Sequence, residues 1–361
     1  MQKNKHLYDS IEALRKYSTE KRISHNQAMH IGQVINEYFS VFNRAQEFHG
    51  TELLLIKRFG DILNSFDMDN GINFAQLFFL FCYTLTDNYH EVQKTIHDNL
   101  AIPYKKWVLQ KWSMFKPEIS NIPKGESYVY LCRHATVRGL YAPGMTTFTH
   151  IKTLLNDDRK VSMIVLNDLS REFEQLDMTY KNFNIIKLQS SNNINRFKLL
   201  LQILKIVKPK VIFTEIEFDI ISILSILSTP IPIIYFSPGV YNLPWYNKIC
   251  VTGNILKNYV GNRGKDIYKI PSYLDLEIIN PKVDPKAVES LKVELGITGS
   301  DFVIGQFARM EKFQEPFLKL IKEILDAVPN SKVILAGPND RGRVENALSN
   351  FIPSGRAIIL P

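Results

Sequence analysis

The chain has 361 residues, 45% of them hydrophobic and 22% charged, which supplies apolar material for several cores and excludes a disordered chain. Lysine and arginine exceed aspartate and glutamate by 44 − 36 = 8, which favours anionic partners; with no basic tail and no basic stripe interleaved with aromatics, no nucleic acid is expected among them. Cys82, Cys132 and Cys250 are scattered in apolar runs without metal-ligand spacing, no secretory core opens the chain, and the longest apolar run is broken by Pro230 and Pro232; free thiols in a reducing, cytoplasmic compartment, no metal and no integral membrane span are expected.

Residues 1–122 read as an all-α domain. "MHIGQVINEYFSVFNRAQEF" places Ile31, Val34, Ile35, Tyr38, Phe42 and Ala45 on one helical face, and "TELLLIKRFGDILNSF" does the same with Leu55, Phe59, Ile62, Leu63 and Phe66. "FAQLFFLFCYTL" is apolar all round and predicts a central helix. The histidines here show no convincing metal pairing: His25 and His30 are five apart, off the favoured helical spacing. "FKPEISNIPKGES" has two prolines and a glycine and predicts a linker.

The pattern then changes. "YVYLCRHA", "KVSMIVL", "NIIKLQ", "KVIFTE" and "IPIIYF" are short apolar runs, separated by the helical patterns "MTTFTHIKTLLND", "INRFKLLLQILKIV" and "FDIISILSILS". Strands apolar on both faces and alternating with helices predict a parallel α/β sheet, so residues 126–278 are expected to form one Rossmann-like lobe. "NPKVDPKAVESLKVELGITGSD" is a polar crossing to a second α/β unit, built from "FVIGQFARM", "EPFLKLIKEILDAV", "KVILAG", "RGRVENALSNF" and "AIILP". Residues 300–361 fall well short of an ordinary α/β domain of roughly 100–150 residues, so this second lobe is expected to be incomplete.

Ligands of open α/β sheets bind at the carboxyl ends of the strands, and five loops lie there. "RHATVRGLYAPGMTTFTH" follows the first strand and carries Arg133, His134, Arg138, Gly139, Tyr141 and Gly144. His134 is a candidate to act as a general base or to polarise a phosphate, the glycines permit close backbone approach, and Thr146 and Thr147 are candidate caps of the next helix; alternatively the loop is a structural turn with solvated basic residues. "TEIEFD" places Glu215 and Glu217 at the end of the fourth strand, as an acceptor site or base, or alternatively as acids facing a helix N-terminus. "YFSPGVYNLPW" offers Ser237 and Gly239 to a cleft, or forms a plain turn. In "IGQFARMEK", Gln306, Arg309 and Lys312 stand at a strand-to-helix mouth, fit to hold a diphosphate or to form surface ion pairs with Glu311 and Glu315. "LAGPNDRGR" adds Gly337 and Asn339 as weaker cleft candidates.

Taken together, "G-x-F-A-R-M-x-K", a helix and then "P-N-x-K-V-I-L-A-G" resemble the opening of the C-terminal lobe of GT-B glycosyltransferases. With the "R-x-L-Y-A-P-G-M-x-x-F" loop and the helical N-terminal region, the plan is similar to that of the bacterial cytoplasmic protein N-glycosyltransferases, relatives of the O-GlcNAc transferases. The resemblance implies an α/β fold of GT-B type, with twin Rossmann-like lobes preceded by an all-α domain. It implies transfer of a hexose from a nucleotide sugar, expected to be a UDP-sugar, to a protein or glycan acceptor, with no cofactor and no metal. Arg309 and Lys312 would grip the donor diphosphate, although two residues separate them here rather than the family's four. A later glutamate-containing donor segment of many retaining members would fall beyond Pro361. Two other functions stay open: a nucleotide-sugar epimerase of the same fold, and a non-catalytic subunit whose helices hold a partner glycosyltransferase.

Overall fold

Short runs of β-branched and aromatic residues become parallel strands here because helices cover both of their faces. The computed structural model describes residues 24–41, 55–84, 96–136, 142–190, 192–237, 243–252, 266–270, 283–307, 315–336 and 342–360. The chain divides into two units, Met1–Asp275 and Leu276–Pro361.

The first unit holds a seven-stranded sheet. Its strands are β1 (Ser127–Cys132), β2 (Val161–Val165), β3 (Phe183–Lys187), β4 (Pro209–Thr214), β5 (Ile233–Ser237), β6 (Lys248–Thr252) and β7 (Asp266–Ile270), in the order β3-β2-β1-β4-β5-β6-β7. Every pairing in it is parallel. In β2 all five residues are buried, as a strand covered on both faces requires. The five predicted strands form. β6 and β7 extend the sheet beyond them.

Helices precede and interleave with the strands. α1 (His25–Val41), α2 (Phe59–Asn64), α3 (Met68–Thr84), α4 (Ile102–Lys111) and α5 (Lys116–Ser120) come first, with a π-helical turn at Ile96–Ala101. α6 (Ala142–Asn156), α7 (Arg171–Thr179), α8 (Asn193–Val207) and α9 (Ile220–Ile226) alternate with the strands. Ile31, Val34 and Ile35 are buried as their spacing predicts, as are Leu55, Phe59, Ile62, Leu63 and Phe66. Tyr38, Phe42 and Ala45 lie outside the described side chains.

The helical region and the sheet share one hydrophobic core. Trp112 and Phe115 meet Phe197 of α8 edge-on, with ring centroids 5.4 and 5.3 Å apart. Phe79 of α3 lies 5.0 Å from Phe218, and Tyr104 of α4 lies 5.0 Å from Phe218 and 5.5 Å from Trp245. Polar groups reinforce the seam. Asn193 donates its backbone N–H to Asp69 Oδ1, and its side-chain amide donates to the Asp69 carbonyl at 3.0 Å and to Asn73 Oδ1 at 2.9 Å. The expected linker is therefore corrected. Lys116–Ser120 is helical, and Phe115, Ile119 and Ile122 are buried in the shared core, where an apolar residue every three or four positions outweighs the two prolines. Cys82, Cys132 and Cys250 are buried free thiols.

The second unit contains α10 (Pro285–Glu294), β8 (Phe302–Phe307), α11 (Glu315–Ala327), β9 (Ser331–Ala336), α12 (Gly342–Ala347) and β10 (Ala357–Leu360). Its three-stranded parallel sheet has the order β10-β9-β8. Leu318, Ile321, Leu325, Val333, Leu335, Val344, Leu348 and Phe351 make its core. Arg356 ties the start of β10 to the α11 end, donating to the Val328 carbonyl at 2.7 Å and to the Ser331 carbonyl at 3.1 Å. The polar crossing contains α10, capped by Asp284, whose carboxylate accepts from the Lys286 N–H at 3.0 Å. The chain is thus α/β, with two Rossmann-like parallel units, the second smaller, after a helical region: the class and element plan expected of a GT-B type chain.

Candidate active site

The strand order reverses between β1 and β4. In an open parallel sheet the crevice outside the carboxyl ends at such a reversal is the ligand position. β1 leaves Arg133 and His134 at that edge, and β4 leaves the run Glu215–Asp219.

That run alternates acid with buried apolar residue: Glu215, Ile216, Glu217, Phe218, Asp219. The apolar members are held in the shared core, Ile216 by its carbonyl, which accepts from the Tyr246 hydroxyl at 2.6 Å, and Phe218 by the rings of Phe79, Tyr104 and Trp245. Asp219 ends the run as the cap of α9, accepting from the Ile220 N–H at 2.6 Å, while its own N–H reaches Ser222 Oγ at 3.3 Å. Arg133 closes over it, with one terminal nitrogen 3.3 Å from Asp219 Oδ2 and 3.4 Å from the Phe218 carbonyl. From the helical side, the Tyr104 hydroxyl donates to the Asp219 carbonyl at 3.2 Å and meets Ser222 Oγ at 3.0 Å.

Burial makes ionisation costly here. It pushes the Glu215 carboxyl up to about 8, with the Glu217 charge adding and Arg133 opposing. Burial also raises Glu217 and Asp219, against the pull of Arg133 on both. The Tyr235 hydroxyl donates to Glu217 Oε1 at 3.1 Å. Among the described residues, Glu215 Oε2 and Arg133 Nε are buried polar atoms without a hydrogen-bond partner.

On the β2 side, parallel pairing continues past the strand ends. Leu166 N–H donates to the Cys132 carbonyl (3.0 Å), Asn167 N–H to Arg133 (2.9 Å), Ala135 N–H to Asp168 (2.7 Å) and Ser170 N–H to Ala135 (2.8 Å). This irregular ladder sets His134 beside Asp168, with Nδ1 2.7 Å from Oδ2. The edge thus presents an imidazole next to a carboxylate and, on the neighbouring strand, a carboxyl whose burial favours its protonated form.

Of the predicted site residues, His134, Glu215 and the backbone of Ser237, the last residue of β5, lie at this edge. Gly144 is buried in the first turn of α6 rather than in the loop. Thr146 and Thr147 do not cap α6, because the helix already begins at Ala142. Gln306 is half-buried near the end of β8, paired in register with Leu335 of the second unit. Arg138, Gly139, Tyr141, Gly239, Arg309, Lys312, Gly337 and Asn339 lie outside the described residues. The sequence reasoning missed Asp168 and the Arg133–Asp219 pair. Asp219 carried a signal, as an acid directly before the apolar run of α9; Asp168 carried none, since its partner depends on strand order. No group of three or more histidine, cysteine or acidic side chains able to hold a metal occurs among the described residues, and no described helix is long and apolar enough to cross a membrane.

No family model matches the chain, and no curated protein matches it. Glycosyltransferases are among the solved structures it is similar to. One is a glycosyltransferase from Rickettsia africae ESF-5, at 16% identity and a TM-score of 0.47, covering 65% of this chain and 68% of that one. A second is Anabaena HepE in complex with UDP and glucose, at 16% identity and a TM-score of 0.44, covering 65% and 69%. A third is a mutant of the Thermobaculum terrenum O-GlcNAc transferase, at 11% identity and a TM-score of 0.48, covering 92% of this chain and 64% of that one.

Proposed function

We propose that the chain is a glycosyltransferase that moves a hexose from a UDP-sugar to an acceptor, with a protein side chain as the expected acceptor and a glycan as the other. The observation that carries the reading is the convergence of His134 and Glu215 at the carboxyl edge where the strand order reverses. It is supported by the "G-x-F-A-R-M-x-K" stretch at the end of the first strand of the second unit. In this reading His134 takes the proton of the acceptor nucleophile as the new glycosidic bond forms. The nucleoside diphosphate departs with the electron pair of the broken bond. Arg309 and Lys312 meet the charge that develops on it, a task two cations perform without a metal.

The test is a titration of the full chain with UDP, followed by UDP-glucose turnover with and without acceptor peptides. The expected result is UDP binding and UDP release that depends on acceptor. Release without any acceptor points instead to the epimerase, and absence of UDP binding removes the donor role. Arg309→Ala is expected to lower turnover by more than about tenfold with an unchanged circular dichroism spectrum; a variant of full activity removes Arg309 from the mechanism.

A further inference from the structure

We propose that Glu215 and Arg133 form a subsite for an uncharged hydroxyl group of a sugar ring, which accepts a hydrogen bond from Arg133 Nε and donates one to Glu215 Oε2. The inference deepens the glycosyltransferase reading and rests on it for calling the ligand a sugar. Its geometric basis is the pair of polar atoms that the fold buries at the strand reversal and leaves without a hydrogen-bond partner. Their neighbours are engaged. The Ile216 carbonyl accepts from the Tyr246 hydroxyl at 2.6 Å, and Glu217 Oε1 accepts from the Tyr235 hydroxyl at 3.1 Å. Asp219 and the Phe218 carbonyl accept from one terminal nitrogen of Arg133 at 3.3 and 3.4 Å. Buried polar groups are normally paired, and a leftover donor beside a leftover carboxyl marks a place for a third group.

Charge selects that group. The Glu215, Glu217 and Asp219 carboxyls surround one guanidinium, whose pull reaches all three. Three acids oppose a phosphate or a carboxylate, and the guanidinium opposes an ammonium. A methylene would leave both atoms unpaired. A hydroxyl satisfies both, because it accepts from an N–H and donates to a carboxyl oxygen; it also suits either protonation state of Glu215. The donor hexose and a glycan acceptor share this chemistry.

The experiment titrates the full chain with UDP, UDP-glucose and methyl β-glucoside, comparing wild type with Arg133→Lys and Glu215→Leu. Arg133→Lys keeps the positive charge that faces Asp219 and deletes the Nε donor. Glu215→Leu removes a buried oxygen that no described residue bonds, so its thermal midpoint at pH 8 is expected at or above that of wild type. Each variant is expected to weaken one sugar probe by about tenfold and to leave UDP affinity unchanged. Glu215→Gln, which still accepts and donates, is expected to bind more nearly as wild type does. A loss confined to UDP-glucose assigns the subsite to the donor hexose, and a loss confined to the glucoside assigns it to a glycan acceptor. Sugar affinities that neither variant moves mean that a buried water fills the place, and overturn the proposal while UDP binding keeps the glycosyltransferase reading. A lowered midpoint of Glu215→Leu also overturns it, because the carboxyl is then bonded within the fold. Glucoside binding lost in both variants of a chain that binds no UDP upholds the subsite and removes the donor role instead. A wild-type chain that binds neither UDP nor sugar overturns both.

Discussion

Glu215 is a carboxyl group withdrawn from water, with one oxygen that no described residue satisfies. Burial raises its pKa from 4.5 to about 8, so the folded chain binds this proton more tightly than the unfolded chain does. The sign follows from linkage. The contribution to stability is fully present below about pH 4.5 and is lost as pH rises towards about 8. Glu215→Gln cannot ionise and is free of that loss. The thermal midpoint of the variant is therefore expected to match wild type near pH 5 and to exceed it progressively up to pH 8.5; a difference that does not change with pH contradicts the buried-acid assignment. His150 works in the opposite direction. It packs among Tyr130, Phe213 and Phe236, and burial lowers its pKa, so its neutral form belongs to the fold and its contribution is lost as pH falls below 6.5.

The packing of α3 against α4 depends on one missing side chain. A Cβ at Gly71 would lie 2.2 Å from Trp107 Cζ2, and Trp107 is itself 1% exposed, so the ring has nowhere to move. Gly71→Ala is expected to cost about 1–3 kcal/mol, seen as a lower denaturation midpoint with native secondary structure retained. A neutral outcome would mean that the two helices separate freely. The elements differ in how plainly the sequence announces them. β1, β2 and β4 are legible because burial on both faces leaves runs such as "YVYLC" and "VSMIV" without polar interruption. β6 and β7 carry Lys248, Asp266 and Lys269; β7 ends the row of described strands, paired only with β6, and there polar residues are tolerated. α7 is short and charged, and it shows its buried side only through Phe173 and Leu176. α10 had a legible start in Asp284–Pro285, outweighed in the sequence reading by its polar surroundings. The site follows the same division. His134 and Glu215 could be found from the rule that ligands meet strand ends, whereas Asp168 faces His134 only because β2 is the strand that neighbours β1.

For the first unit as a whole, the shared core means that its helical region and its sheet are not separable bodies. Trp112 packs on Phe197, Phe79 on Phe218, and Asn193 is bound to Asp69 and Asn73. Aromatic pairs of this kind contribute about 0.5–1.5 kcal/mol each beyond the area they bury. Native-state hydrogen exchange is expected to give the amides of α3 and α4 the same opening free energy as those of β1 and β4. Earlier opening of the helices would show that they are an independent domain. The seam also fixes an order of events at the ribosome. The Tyr104 hydroxyl finds its acceptor 115 residues later in the chain. At about 5–20 residues per second, the apolar sides of the first helices wait on the order of ten seconds for α8 and α9 to emerge and cover them. During that interval Phe79, Trp112 and Phe115 are open to other nascent chains and to holding chaperones. Synthesis, rather than the finished fold, is where this molecule is most exposed to aggregation.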